Sequence, residues 1–224
     1  MRNKVVKLKI LILSDIHGNF KAAQSISREA LRLKPDLVVV CGDITHFGSL
    51  NEAEKILGFF RDFQTIFVPG NCDPPALLTV RNVNKALNIH DRLHVLDSIA
   101  FLGIGGSTKT PFTTQIEFEE EAIYQMVRSA LGDFRGRLIV VSHSPPADTL
   151  TDLTSLGLHA GSRALRSFIE EYKPLAVLHG HVHEARGLDR LGETLIVNPG
   201  PARQNFYALL ELNGSLEAFL MRAT

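Results

Sequence analysis

Seven residues of this chain have side chains that bind divalent cations, and each stands just beyond a short apolar run: Asp15 and His17, Asp43, Asn71, His143, and His181 with His183. Singly, each has an ordinary reading as a turn aspartate or a hydrogen-bonded loop residue. Turn chemistry does not explain five strand ends with the same property, and the joint pattern points to a metal site. Carboxylate, imidazole and amide oxygen together suit borderline-to-hard ions (Mn, Fe, Co, Ni or Zn, with Mn favoured) rather than a thiolate zinc site. Seven ligands exceed what one tetrahedral ion needs, and Asp43, with two oxygens, resolves the surplus by bridging two ions. Two divalent ions against Asp15 and Asp43 leave a net charge of about +2, or about +1 with a bridging hydroxide. A pocket of that sign favours a phosphate ester. Ions ~3.5–4 Å apart suit in-line attack of the hydroxide on phosphorus.

Such placement requires several strands that run the same way. Leu37-Val38-Val39-Val40-Cys41, between Pro35 and Gly42, has strand length and delivers Asp43. Apolar runs over 5–13, 65–68, 138–141 and 175–178 are strands that deliver the other ligands. Apolar spacing predicts helices over 20–33, 50–63, 77–87, 118–131 and most of 158–172. Residues 93–96 and 99–104 read as short strands, and 105–115 as a loop. The opening β-α-β-α-β order predicts an α/β fold with a mostly parallel sheet. The tail, 187–221, reads as a run of antiparallel strands, with Asn213-Gly214 a hairpin signal. Lys-Pro, apolar strand, Gly and ligand recur in that order at Lys34-Pro35…Gly42-Asp43 and Lys173-Pro174…Gly180-His181. This predicts two halves of a layered sandwich that present ligands to one rim.

With 224 residues, 45% hydrophobic and 21% charged, the chain has the composition of an ordinary globular protein, and 1–224 reads as one domain. Lys plus Arg equals Asp plus Glu at 24 each, so charge indicates neither nucleic acid nor a membrane surface. Cys41 and Cys72 form no disulfide framework, which suits a reducing cytoplasm. Arg2, Lys4, Lys7 and Lys9 precede an apolar run that stops at Ser14-Asp15 without a cleavage site, so no export signal is expected. Expected partners are a small phosphoester substrate and no membrane, with a homo-oligomer left open.

Asp15-x-His17, Gly42-Asp43, Gly70-Asn71-Cys72-Asp73, His143 and Gly180-His181-x-His183 resemble, in order, the five sequence blocks of the calcineurin-like metallophosphoesterases. The resemblance spans 15–183 and extends through Asn198-Pro199-Gly200. It implies a four-layer α/β/β/α sandwich. It also implies that Asp15, His17 and His183 hold one metal, Asn71, His143 and His181 hold a second, and Asp43 bridges. Asp43, Asn71, Cys72 and His143 then form the catalytic centre. Cys72 departs from the pattern, since most relatives carry there a histidine that contacts the phosphate and protonates the leaving oxygen. Near two cations a thiolate is expected, and a thiolate cannot donate a proton. Loss of a general acid costs ~10²–10⁴ in rate, most for poor leaving groups. Small bacterial and archaeal members with the same Gly-Asn-Cys-Asp variant resemble phosphodiesterases. The expected activity is therefore a phosphodiesterase that hydrolyses activated aryl diesters faster than alkyl monoesters. The alternatives are a phosphomonoesterase or protein phosphatase, a nuclease, and a non-catalytic scaffold that binds a partner protein.

Several other residues have secondary readings. His179 reads as a packed or supporting histidine, His46 as a candidate to line the site, and His90, His94 and His159 as surface or helix-end residues. Arg203 is placed either on a substrate phosphate or in a surface salt bridge. The 105–115 loop is the candidate substrate-facing lip, and Cys41 is expected to be buried and inert.

Overall fold

The structure is a computed structural model that describes residues 7–224. Arg2, Lys4 and the first two residues of the expected 5–13 strand lie outside the described residues. The first half of the chain alternates as expected: β1 (Lys7–Leu13), α1 (Phe20–Leu33), β2 (Leu37–Cys41), α2 (Leu50–Leu57) and β3 (Thr65–Val68). A hairpin of β4 (Asn82–Val83) and β5 (Ala86–Asn88) follows, then β6 (Arg92–Leu96), β7 (Ile99–Ile104), β8 (Ser107–Thr108) and β9 (Glu117–Phe118). The second half contains α3 (Glu120–Leu131), β10 (Arg137–Ser142), α4 (Arg163–Tyr172) and β11 (Ala176–Leu178). It closes with β12 (Gly187–Leu191), β13 (Thr194–Asn198), β14 (Phe206–Asn213) and β15 (Ser215–Arg222).

Two sheets carry the fold, in the orders β15-β14-β1-β2-β3-β5-β4 and β12-β13-β11-β10-β7-β6. Strand alternation sends one face of each inward. Ile12, Val39, Cys41 and Val68 of the first sheet meet Phe101, Ile139, Val141 and Val197 of the second in a dry central layer. The opposite faces are covered by α1 and α2 on one side and by α3 and α4 on the other. The result is a four-layer α/β/β/α sandwich, and both halves follow one rule at the helix ends. Lys34 and Lys173 stop α1 and α4 in the left-handed region, at φ 50° and 49°, and their N–H groups donate to Ala30 and Ile169. The following prolines disfavour a further helical residue, so Lys-Pro turns the chain into β2 and β11.

Four expectations need correction. Residues 77–87 are not a helix, because Asn84 and Lys85 both take positive φ, 45° and 69°, and form a tight hairpin turn. Residues 50–63 are helical only to Leu57, then pass through a 3₁₀ turn. Residues 158–162 stay outside α4. Buried Asp152 holds the Asp148, Thr149 and Gly161 N–H groups, and the helix starts only where Ser162 accepts from Leu165 N–H. The tail is not one antiparallel run but two antiparallel hairpins placed in different sheets. β13 runs parallel to β11 in one sheet, while β14 pairs with β1 in the other. Among the described residues no helix is long and apolar enough to cross a membrane.

β1, β2 and β3 are mutually parallel, as are β7, β10, β11 and β13, so their carboxyl ends form one rim. The central layer fixes how the two half-rims meet. Replacing its fully buried Phe101 by Ala should cost about 3–5 kcal/mol, read as a lower midpoint in denaturant titration with an unchanged slope.

Candidate metal centre

Three of the five ligand-bearing segments, those after β1, β2 and β11, leave their strands through a backbone turn that an ordinary residue avoids. Asp15, His17, Asp43 and His181 have φ of 57°, 48°, 48° and 71°. Such conformations persist where surrounding bonds over-determine them. Asp15 N–H donates to Gly42 C=O and His17 N–H to Asp43 C=O, which locks the β1 loop to the β2 loop. Gly180 N–H donates to His143 C=O, and His181 N–H to the Asp15 carboxylate, which brings in the second sheet. Gly42 is required twice over. Its φ is 93°, and a Cβ there would lie 2.5 Å from His143 Nδ1.

All seven expected side chains converge. His17 Nε2 and His183 Nε2 are 3.1 Å apart, with Asp15 Oδ1 3.1 Å from the latter and Asp43 Oδ2 3.6 Å from the former. On the other side of Asp43, its Oδ1 lies 3.5 Å from His143 Nε2, and Asn71 Oδ1 lies 2.8 Å from His143 Nε2 and 3.0 Å from His181 Nδ1. Two donor sets thus share the two oxygens of one carboxylate. Metal–ligand bonds of about 2.1 Å put neighbouring ligand atoms about 3.0–3.4 Å apart, so both sets have the spacing of a coordination shell. Their hard and borderline donors fit divalent ions of the Mn-to-Zn series.

Tautomers support the fit. His143 Nδ1–H donates to Cys41 C=O at 2.7 Å, which turns Nε2 toward Asn71 and Asp43. Burial holds His17 and His181 down at about 4, so both stay neutral with lone pairs available. His143 is the exception. Burial lowers its pKa, but the charge of Asp43 outweighs this and lifts it to about 9. Burial also pushes Asp15 and Asp43 up. The His183 hydrogen bond, for Asp15, and the His143 charge, for Asp43, more than reverse it, so both stay ionised.

Neighbouring residues take roles the sequence only hinted at. Buried Asp73 accepts from the N–H groups of Ile44, Thr45 and Gly70 and from Thr45 Oγ–H, and so clamps the loop after β2 to the loop after β3. Burial and the charge of Asp43 push its carboxyl up to about 6. No sequence signal marks this role beyond an acidic residue two positions after Asn71. His46 Nδ1 lies 3.2 Å from His17 Nδ1, where it accepts the proton that His17 must hold there to ligate through Nε2. Arg203 Nη2 lies 3.2 Å from His183 Nδ1, and among the described residues no carboxylate pairs with its guanidinium, so the salt-bridge reading fails. An Nδ1 that accepts from Arg203 keeps the proton on Nε2, so His183 as a ligand releases the guanidinium toward an anion. His179 is fully buried on Thr151 Oγ and Gly180 C=O, a packed histidine as expected. His90 is not on the surface. It is buried and accepts from Gly105 N–H at the base of the 105–115 loop. Cys41 is buried, and its thiol is pushed far up by that burial.

Cys72 is buried, and with the protein charges alone burial first and then the negative Asp43 push its thiol up. Its Sγ lies within 4.8 Å of ligand atoms on His17 and His46, at the edge of the first donor set.

Comparison with known proteins shows the family and the fold. The sequence model of the calcineurin-like phosphoesterase family matches residues 8–185. An uncharacterized protein of Methanocaldococcus jannaschii is 36% identical over 219 residues, which cover 92% of this chain and 98% of that one. A probable cyclic nucleotide phosphodiesterase of Vesicomyosocius okutanii is 27% identical over 195 residues, 81% of this chain and 80% of the relative. The crystal structure of TT1561 from Thermus thermophilus superposes with a TM-score of 0.75 at 19% identity, covering 96% of this chain and 99% of that one.

Two outcomes follow from the electrostatics and the clamp. Loading the second donor set must displace the His143 proton below pH about 9, whereas His17 and His181 carry none above about 5. Calorimetric Mn affinity should therefore rise about tenfold per pH unit between 6 and 8, with about one proton released per protein. Asp73→Ala leaves buried N–H groups unpaired and should lower stability by about 3–5 kcal/mol, whereas Asp73→Asn should recover part of it. Chemical denaturation of both variants measures the difference.

Proposed function

This chain belongs to the calcineurin-like phosphoesterase family, and we propose that it is a phosphodiesterase working with two divalent ions, Mn favoured, shared by Asp43. One set is Asp15, His17, His183 and Asp43 Oδ2; the other is Asn71, His143, His181 and Asp43 Oδ1. The observation that carries this reading is the shared carboxylate, whose two oxygens face separate imidazole pairs, at 3.6 Å from His17 and 3.5 Å from His143. Bound there, the ions supply Lewis acidity toward a phosphoryl oxygen and lower the pKa of water.

The side chains of the protein do the remaining work. Cys41 C=O holds the proton of His143 on Nδ1, and His46 holds that of His17 on its Nδ1, so both rings face inward. Arg203, without a carboxylate partner, offers a fork to a non-bridging phosphate oxygen. Cys72 stands where a histidine would protonate the leaving oxygen, and beside two cations the thiolate is favoured, which has no proton to give. The leaving oxygen must therefore depart with little protonation, and activated diesters tolerate that best. The name of the Vesicomyosocius okutanii relative, a probable cyclic nucleotide phosphodiesterase, supports a diester substrate.

After chelation the protein should be inactive. Adding back Mn should restore hydrolysis of bis(p-nitrophenyl) phosphate at a kcat/KM at least ~10²-fold above that for an alkyl monoester. Cys72→His should raise monoester turnover by about 10-fold or more. Faster alkyl monoester than diester hydrolysis would make the protein a monoesterase, and inactivity with every metal would favour a scaffold.

A further inference from the structure

Large apolar side chains stand in solvent on loops that leave the rim carrying this cluster. Phe47 is 50% exposed, Leu158 63%, and Phe112 and Leu156 83% each. They come from three loops that follow β2, β7 and β10 at the same rim, and each loop is bonded to a residue in or beside the cluster. Phe47 N–H donates to Cys72 C=O at 2.9 Å. The turn that displays Phe112 is held by Gln115 N–H donating to Asn71 C=O at 2.9 Å and by Asn71 Nδ2 donating to Thr114 Oγ at 3.0 Å. Ser155, next to Leu156, donates its N–H at 3.0 Å to Glu184, which follows His183.

Single exposed apolar residues are common on protein surfaces, but three loops anchored to one polar cluster that each display them is a different pattern. The loops are also held in shape. Fully buried Asp152 accepts from the N–H groups of Asp148, Thr149 and Gly161 and from His159 Nδ1–H, which fixes the base of the leucine loop. Glu117 takes Thr110 Oγ–H, Thr114 N–H and Thr114 Oγ–H, which fixes the loop of Phe112. Among the described residues the cluster offers carboxylates, imidazoles, an amide, the Cys72 thiol and Arg203. A ligand that satisfies both regions carries its charge at one point and apolar surface around it.

We infer that the substrates of this site are amphiphilic phosphodiesters, with the phosphoryl group at the cluster and a long alkyl or large aryl arm packed on Phe112 and Leu156. This rests on the phosphodiesterase reading above. Binding energy from the remote arm then contributes to kcat/KM.

The test uses the Mn-reconstituted full chain and p-nitrophenyl alkyl phosphodiesters with methyl, hexyl and dodecyl arms, kept below their micelle concentrations. From methyl to dodecyl, kcat/KM should rise at least about tenfold. The double variant F112S/L156S should keep the methyl ester value within about twofold and lose the rise. Calorimetry gives a readout apart from turnover. Dodecyl phosphate should bind at least about tenfold more tightly than inorganic phosphate, and the double variant should lose that advantage. A flat series with a good methyl substrate overturns the inference, and so does a rise that survives in the double variant. A double variant that dissociates an oligomer in sedimentation but keeps the rise assigns the rim to self-association instead. If no diester is hydrolysed while dodecyl phosphate keeps its advantage, the phosphodiesterase reading fails and the amphiphile site stands.

Discussion

His143 leaves the end of β10 in one sheet and donates its Nδ1 proton to the carbonyl of Cys41, the last residue of β2 in the other. Much of the site depends on this one bond between the two sheets. It fixes the tautomer and aims Nε2 at Asn71 and at Asp43, two residues past the acceptor. It requires the chain between Cys41 and Asp43 to pass beside an imidazole, which leaves room only for glycine at position 42. The central apolar layer sets the spacing that makes the bond feasible, so packing far from the rim is felt in the orientation of a ring at the rim.

The second dependence is electrostatic. Asp15, Asp43 and Asp73 are buried together, and isolated buried carboxylates are costly. Two are held ionised by imidazoles, while Asp73, which faces backbone N–H groups and the negative Asp43, is pushed up to about 6. Structure and chemistry are thus divided between neighbours. Asp43 faces the pocket, and Asp73, from the adjacent strand end, keeps the loop of Asp43 in its left-handed turn. A cation in the pocket adds the charge that such a set of carboxylates favours.

The convergence of the seven side chains was legible because it depends on short-range features, such as a valine-rich run of fixed length, a glycine and then a polar residue. The same holds for the two Lys-Pro boundaries, which are local conformational rules. Residues 77–87 misled because the turn at Asn84-Lys85 depends on positive φ at residue types that tolerate it only in part. The leucines of 150–158 read as loop and helix face, since only the fold reveals that Asp152 holds their backbone away from helix. Asp73 and His46 were obscure for a related reason. Their partners are backbone groups and rings on other loops, and no spacing within the sequence encodes such meetings.

The closing strands have a consequence for the order of assembly. β14 and β15 complete the sheet that starts with β1, and the turn before them ties down the first ligand loop. Ala202 N–H donates to Ser14 C=O, Arg203 N–H to Asp15 C=O, and Asn19 to the carbonyl of Arg203 across 184 positions of sequence. All seven candidate ligand side chains precede in sequence the segment that bonds to Asp15. The pocket is therefore a late product of folding, and its pairing of distant segments predicts slow maturation. Until the last strands dock, the chain carries these imidazoles and carboxylates without the geometry that brings them together.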